Sequence, residues 1–271
     1  MSGILLCRSH AVSEPYYVEE LGLSLYSEEE LSYYIYHNAT LIEEDFLDER
    51  LYRFIGKELG MTDLERKLRK WQEQAELSEL LLVILQDIHY YDSDELFHFR
   101  EKLSALAKKS PVARMKEKGD TLFAEGRYAA AAAVYDRLLA SPEIGRADKL
   151  FVGAVWYNNG MALARQYLWK QAASCLAQAC ALTGSEEYKK KYYWITRMAP
   201  ETADAEVLRG ISPDTAARWE KEWKTARENA RLSGKAQQAI TWLDKDNIRR
   251  AAGLTELVEE WKKEYRRSIG G

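Results

Sequence analysis

The chain is poor in the residues that usually announce chemistry. Three cysteines in 271 residues are too few for a disulfide framework. Cys175 and Cys180 fall in an alanine-rich stretch that reads as a setting for buried free thiols. There are four histidines, and only Cys7-x2-His10 has metal-ligand spacing. A structural zinc site needs about four ligands, so this lone pair predicts no metal. A Gly-rich phosphate loop, a nucleophile elbow and a metalloprotease helix are all absent from the sequence. The expectation is therefore a non-enzyme with no catalytic residues and no cofactor. No apolar run approaches the ~20 residues of a membrane span. Ile4–Cys7, followed by Arg8, is too short for a signal peptide's apolar core. Cytoplasmic localisation is expected.

Proline is also scarce, with five residues, while 46% of the chain is apolar and 30% charged. This balance, rich in Leu, Ala, Glu and Lys, favours an all-α protein. Formal charge is −4, unevenly spread: residues 1–110 carry 12 Lys/Arg against 22 Asp/Glu. An acidic first part argues against nucleic-acid binding, which needs a basic face. Leu21-Gly22-Leu23 and Ser27–Leu31 resemble the opening of bacterial helix-turn-helix domains. The following helix, however, offers tyrosines and acids where phosphate contacts require Lys or Arg.

What the chain does have is an internal repeat. One copy runs Met115, Lys118-Gly119, Leu122, Gly126-Arg127-Tyr128, Ala131, Tyr135 and Pro142. The other runs Trp156, Asn159-Gly160, Leu163, Tyr167-Leu168-Trp169, Ala172, Leu176 and Ala179. Gly119 and Ala131 are 12 positions apart, as are Gly160 and Ala172. Small residues at those places let two helices approach within about 8–10 Å. Tyr128 and Trp169 take matching places just after the turn, where an aromatic ring covers the open end of the hairpin. These six form the expected repeat-packing set. This pattern resembles the tetratricopeptide family, W-x2-L-G-x2-Y then A-x3-F then P. Departures are plain: the glycines are 41 residues apart, Gly119 to Gly160, against the family's period of about 34. The extra length falls around Pro142–Arg146, and Lys118 and Asn159 replace the usual leucine.

The remaining chain reads as helices flanking the repeats. Ile4-Leu5-Leu6 is expected as a short extended piece. Ser27 with Glu30 forms a capping-box start for a helix to about His37. Further helices are expected over Glu44–Leu59, from Thr62 through Trp71, over Leu77–Tyr91, and from Asp92 or Ser93 to near Ser110. Glu186–Met198 reads as an incomplete third repeat. Ser212-Pro213 opens a helix to about Leu232, and two more are expected over Lys235–Arg250 and Thr255–Ser268. The organisation is an acidic helical region over 1–110, repeats over 111–199 and Trp-rich helices over 200–271.

The resemblance implies a helix-turn-helix solenoid with an N-terminal helical bundle and a C-terminal helical cap. It also implies a peptide-binding groove lined by first helices. Lys116, Asp120, Tyr157, Asn158, Arg165 and Tyr192 are the groove candidates. In chaperone-binding members of the family, a carboxylate clamp grips a partner's C-terminus. Lys116 matches its first lysine and Asn158 its second-repeat asparagine, with Lys189, Lys190 and Arg197 in the helix of the third repeat. Asp120 stands where the clamp has asparagine and would repel a carboxylate, so a groove for another kind of peptide is the preferred reading. The expected function is a non-catalytic adaptor or scaffold binding a protein or peptide, as a monomer or homodimer. The alternative is a ligand- or peptide-sensing regulator whose N-terminal region acts as the effector.

Overall fold

A computed structural model describes residues 12–269, so the expected extended piece at Ile4–Leu6 lies outside the described residues. The protein is all-α, 76% helical, with consecutive helices packing against their neighbours as in a helical repeat. It divides into two compact units, Met1–Thr121 and Leu122–Gly271.

The first unit opens on a feature the sequence pattern concealed, an antiparallel hairpin of β1 (Tyr16–Val18) and β2 (Leu23–Leu25). Its strands are three residues long, too short for an alternation signal, yet Tyr16, Val18 and Leu25 point into the core. Helix α1 (Glu28–His37) begins as expected, with the Ser27 hydroxyl accepting from the Glu30 amide at 3.2 Å. The Glu30 carboxylate reaches one residue further back, accepting from Tyr26 N at 2.6 Å.

The continuous helix expected over Glu44–Leu59 is broken. A 3₁₀ turn (Glu44–Phe46) precedes α2 (Glu49–Arg53), which runs into a π-helical turn (Phe54–Glu58). Asp48 causes the first break, because its carboxylate accepts from Leu51 N at 2.8 Å and starts a new helix. Next come α3 (Thr62–Trp71), α4 (Leu77–Ile88) and α5 (Ser93–Lys108). Thr62, which by its residue type was expected to cap α3, is instead its first residue, and Met61 takes the cap position without a side-chain bond. A complete capping box starts α5: Asp92 Oδ1 accepts from Glu95 N, and Glu95 Oε2 accepts from Asp92 N, both at 2.9 Å.

Helix α6 (Pro111–Ala124) straddles the division. Its first part is tied to the first unit by Lys118 Nζ to Glu43 at 2.7 Å and by the Thr40 and Thr121 hydroxyls at 3.0 Å. The unit boundary consequently falls inside a helix, where composition gives no signal.

The second unit continues with α7 (Tyr128–Ala140), a 3₁₀ turn (Pro142–Arg146), α8 (Lys149–Arg165) and α9 (Trp169–Thr183). The surplus length between the two sequence copies is this 3₁₀ turn together with a 17-residue α8. Both copies make the same turn. Arg127 N donates to Leu122 O at 2.9 Å, and Leu168 N donates to Leu163 O at 3.1 Å. Gly126 N donates to Phe123 O and Tyr167 N to Ala164 O, each at 3.1 Å. Arg127 and Leu168 then enter their helices with ψ of 61° and 63°.

Gly184, at φ 66°, ends α9. Helix α10 (Glu186–Met198) packs on α9, and Tyr192 and Ile195 join Ala173, Leu176 and Cys180 in one buried cluster. In place of a long partner helix come a 3₁₀ turn (Pro200–Thr202) and the short α11 (Ala205–Arg209). Helices α12 (Pro213–Arg231), α13 (Gly234–Leu243) and α14 (Asn247–Ile269) complete the unit.

The break between the last two helices comes at Asp244–Asp246 instead of near Gly253. Asp246 caps α14 by accepting from Arg249 N at 3.1 Å. Gly253 sits inside α14 because a Cβ there would lie 2.2 Å from the Trp242 ring. Its role is close packing, not helix termination.

Candidate peptide-binding face

Helix α8 is buried on two of its three faces. Val155, Asn159 and Ala162 form the buried row beside α7, where Asn159 Nδ2 donates to Asp136 Oδ1 at 2.6 Å. Gly160 faces α9: a Cβ on it would meet Leu176 Cγ at 3.0 Å and Ala172 O at 3.2 Å. The glycine–alanine pair of the second copy therefore marks a true close crossing. Ala131 and Ala172 are both fully buried, at 0% exposure. The 3.6-residue period leaves Asn158, Met161 and Arg165 on the third face, with Tyr157 at its edge.

That face is partly open and carries aromatic rings, an amide and a cation. Tyr157 stacks on Tyr188 of α10, with centroids 4.1 Å apart and planes 13° from parallel. Burial, then Glu187 and Tyr188, push the Tyr157 hydroxyl up to about 12, so it stays a neutral donor and acceptor. The exposed Arg165 guanidinium lies 5.7 Å from the centroid of Tyr128, an attraction that fixes a long side chain over an aromatic surface. Tyr128 in turn meets Phe123 edge-on at 5.2 Å. Asn158 is half-buried. Trp169, also half-buried, packs against the α9–α10 cluster.

The other candidates lie elsewhere. Lys116 and Asp120 belong to the first unit, where they pair with each other at 2.6 Å along α6. That pairing neutralises the charge expected to repel a carboxylate and occupies the lysine expected to attract one. Tyr192 is not on an open face. It is 1% exposed, donates to Thr202 O at 3.2 Å and accepts from Asp204 N at 2.7 Å. Its hydroxyl clamps the turn after α10, a structural duty that helical spacing alone could not distinguish from groove lining.

Two cations of α10, Lys190 and Arg197, have partners from α12. Arg197 Nε donates to Glu220 Oε2 at 2.8 Å, Tyr193 donates to the same oxygen at 3.0 Å, and Lys190 pairs with Glu222. Trp194 Nε1 donates to the Trp219 carbonyl at 3.4 Å, and Trp219 is 2% exposed. A carboxylate-gripping third helix is thus replaced by one already gripping carboxylates of its own chain. Glu220, Glu222 and Trp219 escaped the sequence reading because their contacts span more than 20 residues. The Trp-rich composition of the C-terminal region was the only available signal.

Among the described residues, no three His, Cys, Asp or Glu side chains converge as a metal site requires. Among the same residues, no helix is long and apolar enough to cross a membrane. Comparison with protein-family models, curated proteins and solved structures finds no match.

Proposed function

We propose that the protein is a non-catalytic adaptor whose second unit binds a peptide or protein segment on the α8 face. The observation that carries this reading is the duplicated turn, which repeats two backbone hydrogen bonds at Leu122–Arg127 and Leu163–Leu168. It supports a tetratricopeptide-like helical repeat, an architecture that presents first helices to a partner. Tyr157, Asn158 and Arg165 supply what such recognition uses: rigid aromatic area, an amide that both donates and accepts, and a guanidinium. Since Lys190 and Arg197 of α10 are engaged by Glu222 and Glu220, a free C-terminal carboxylate is not the favoured ligand. Arg165 instead selects an acidic or carbonyl-rich segment that also offers apolar side chains to Tyr128 and Tyr157.

The test is selection of peptides from a random display library on the intact protein, followed by titration of the selected peptides against Arg165→Glu. Arg165 is exposed, so the variant should keep its circular dichroism and melting temperature. A peptide that loses about tenfold or more in affinity on this charge reversal supports the reading. Selected peptides that bind wild type and variant alike would remove α8 from the recognition surface.

A further inference from the structure

A small cleft in the first unit, between β1, α1 and the segment leading into α2, encloses about 80 Å³. Tyr16 and Tyr34 line it while being only 6% and 3% exposed. Neither hydroxyl bonds to a described residue, and neither is sealed from solvent as the Tyr52 and Tyr91 hydroxyls are, so both can accept from a group that enters. Their rings cannot easily swing away. Phe46 meets Tyr16 edge-on at 5.9 Å and Tyr34 at a tilt at 5.7 Å, bracing both rings against the wall of the cleft.

Four carboxylates also line the cleft, and two have cationic partners. Glu19 pairs with Arg50 at 3.0 Å and Glu43 with Lys118 at 2.7 Å, whereas Glu20 and Asp45 form no ion pair with a described residue. The Arg50 guanidinium lies 6.0 Å from the Tyr16 ring centroid, so this wall already faces one cation. Burial raises the Tyr34 hydroxyl above its ordinary range, and Glu20 adds to the effect. For Tyr16, burial and Asp48 raise it, Arg50 opposes, and Glu20 and Asp45 raise it further. Both hydroxyls therefore remain protonated within a negative field.

These features discriminate among ligand classes. An anion would meet Glu20 and Asp45. A metal ion would find no three converging His, Cys, Asp or Glu ligands among the described residues. A neutral apolar group would leave both hydroxyls unsatisfied, and 80 Å³ is too small for a nucleotide. A primary ammonium is compact and brings three N–H donors. We propose that this cleft binds a primary alkylammonium group, with its donors on the Tyr16 and Tyr34 hydroxyl oxygens and on the Glu20 or Asp45 carboxylate, and its alkyl stem against Phe46. The ammonium comes from a lysine side chain of a peptide or from a free amine. This site is independent of the α8 face.

The test is NMR titration of the full-length protein, following tyrosine ring and backbone signals, with butylammonium, Nα-acetyl-lysine amide and the capped peptide Gly-Gly-Lys-Gly-Gly. Nα-acetyl-norleucine amide is the uncharged control. A saturable response confined to β1, α1 and residues 41–50, with a Kd on the order of 1 mM, is expected for the amines. Glu20→Gln and Asp45→Asn together should weaken binding about tenfold, and Tyr34→Phe should weaken it several-fold. Because Glu20 and Asp45 make no ion pair with a described residue, their amide variants should fold normally. Equal affinity for the free amine and the peptide assigns the site to free amines, and a markedly tighter peptide assigns it to lysine in a chain. Either result supports ammonium recognition. No saturable shift, an equal response to the norleucine control, or unchanged affinity in the Glu20→Gln/Asp45→Asn protein overturns it.

Discussion

Tyr167 holds the place in the second turn that Gly126 holds in the first, and both lie in the left-handed region, at φ 63° and 75°. Each follows the fully or partly buried small residue of its copy, Gly119 or Gly160, by seven positions. Glycine adopts that conformation freely, whereas a side chain costs roughly 1 kcal/mol or more. Tyr167 bears this cost while its ring meets Trp169 at 5.6 Å and Tyr265 of α14 at 6.5 Å. Tyr167→Gly and Tyr167→Ala both delete the ring, so their difference isolates the backbone. The glycine protein should be more stable than the alanine protein by about 0.5–1 kcal/mol in urea unfolding. Gly126→Ala should be destabilising by a similar amount, since a Cβ there meets nothing within 4 Å and only the dihedral objects. Equal stability of the two Tyr167 variants would refute the strain.

Gly253 offers a second test, because its sign runs against helix propensity. Glycine to alanine inside a helix usually gains about 0.5–1 kcal/mol. At Gly253 the added carbon would stand 2.2 Å from a rigid indole. Gly253→Ala should therefore lower stability by about 1–3 kcal/mol through overpacking. A raised melting temperature would mean that α13 and α14 do not pack this closely.

Asn159 stands where the repeat pattern has leucine. It is 0% exposed, and its Oδ1 has no partner even though Nδ2 reaches Asp136. Asn159→Leu removes an unsatisfied buried acceptor and leaves Asp136 exposed to solvent. The change should be neutral or stabilising by up to about 1 kcal/mol. Asn159→Ala, which leaves a hole, should cost about 2 kcal/mol. Chemical denaturation of both proteins decides the matter, and a strongly destabilised leucine variant would show that the amide bond to Asp136 outweighs the orphaned oxygen.

Burial pushes the Cys175 and Cys180 thiols up from an ordinary 9.0 to about 11, with Asp136 adding to the first and Lys189 opposing the second. The folded protein thus keeps these protons at pH values where the unfolded chain releases them. Stability from this source is present below pH 9.0 and falls as pH rises from 9.0 toward about 11, with a limiting slope of about 1.4 kcal/mol per pH unit for each thiol. Cys175→Ala and Cys180→Ala should each flatten the alkaline limb of a stability–pH profile. A profile that does not change in the double variant would rule out this linkage.

Much of the local architecture was legible because its signals are short-ranged. Ser27, Asp92 and Ser212 were readable as helix starts since a capping side chain bonds an amide within three residues. The range Glu186–Met198 was readable for the same reason, bounded by Ser185 and Pro200. The hairpin at Tyr16–Leu25 was not, because three-residue strands are stabilised by burial of Tyr16, Val18 and Leu25, which propensity does not record. The break at Asp48 was missed because helical periodicity continues across it.

For the candidate sites the division is sharper. The sequence alone determined the all-α class, the repeat and the close crossing of Gly160 with Ala172, since residue size at a fixed helical offset dictates how near two backbones come. Only the tertiary structure decided which polar groups are spoken for. Lys190 and Arg197 meet Glu222 and Glu220 across an intervening turn and helix, Tyr192 turns inward to hold Asp204, and Tyr16 and Tyr34 line one cleft built from three segments. Those pairings depend on the path of the chain between distant helices, and no residue type or spacing encodes that path.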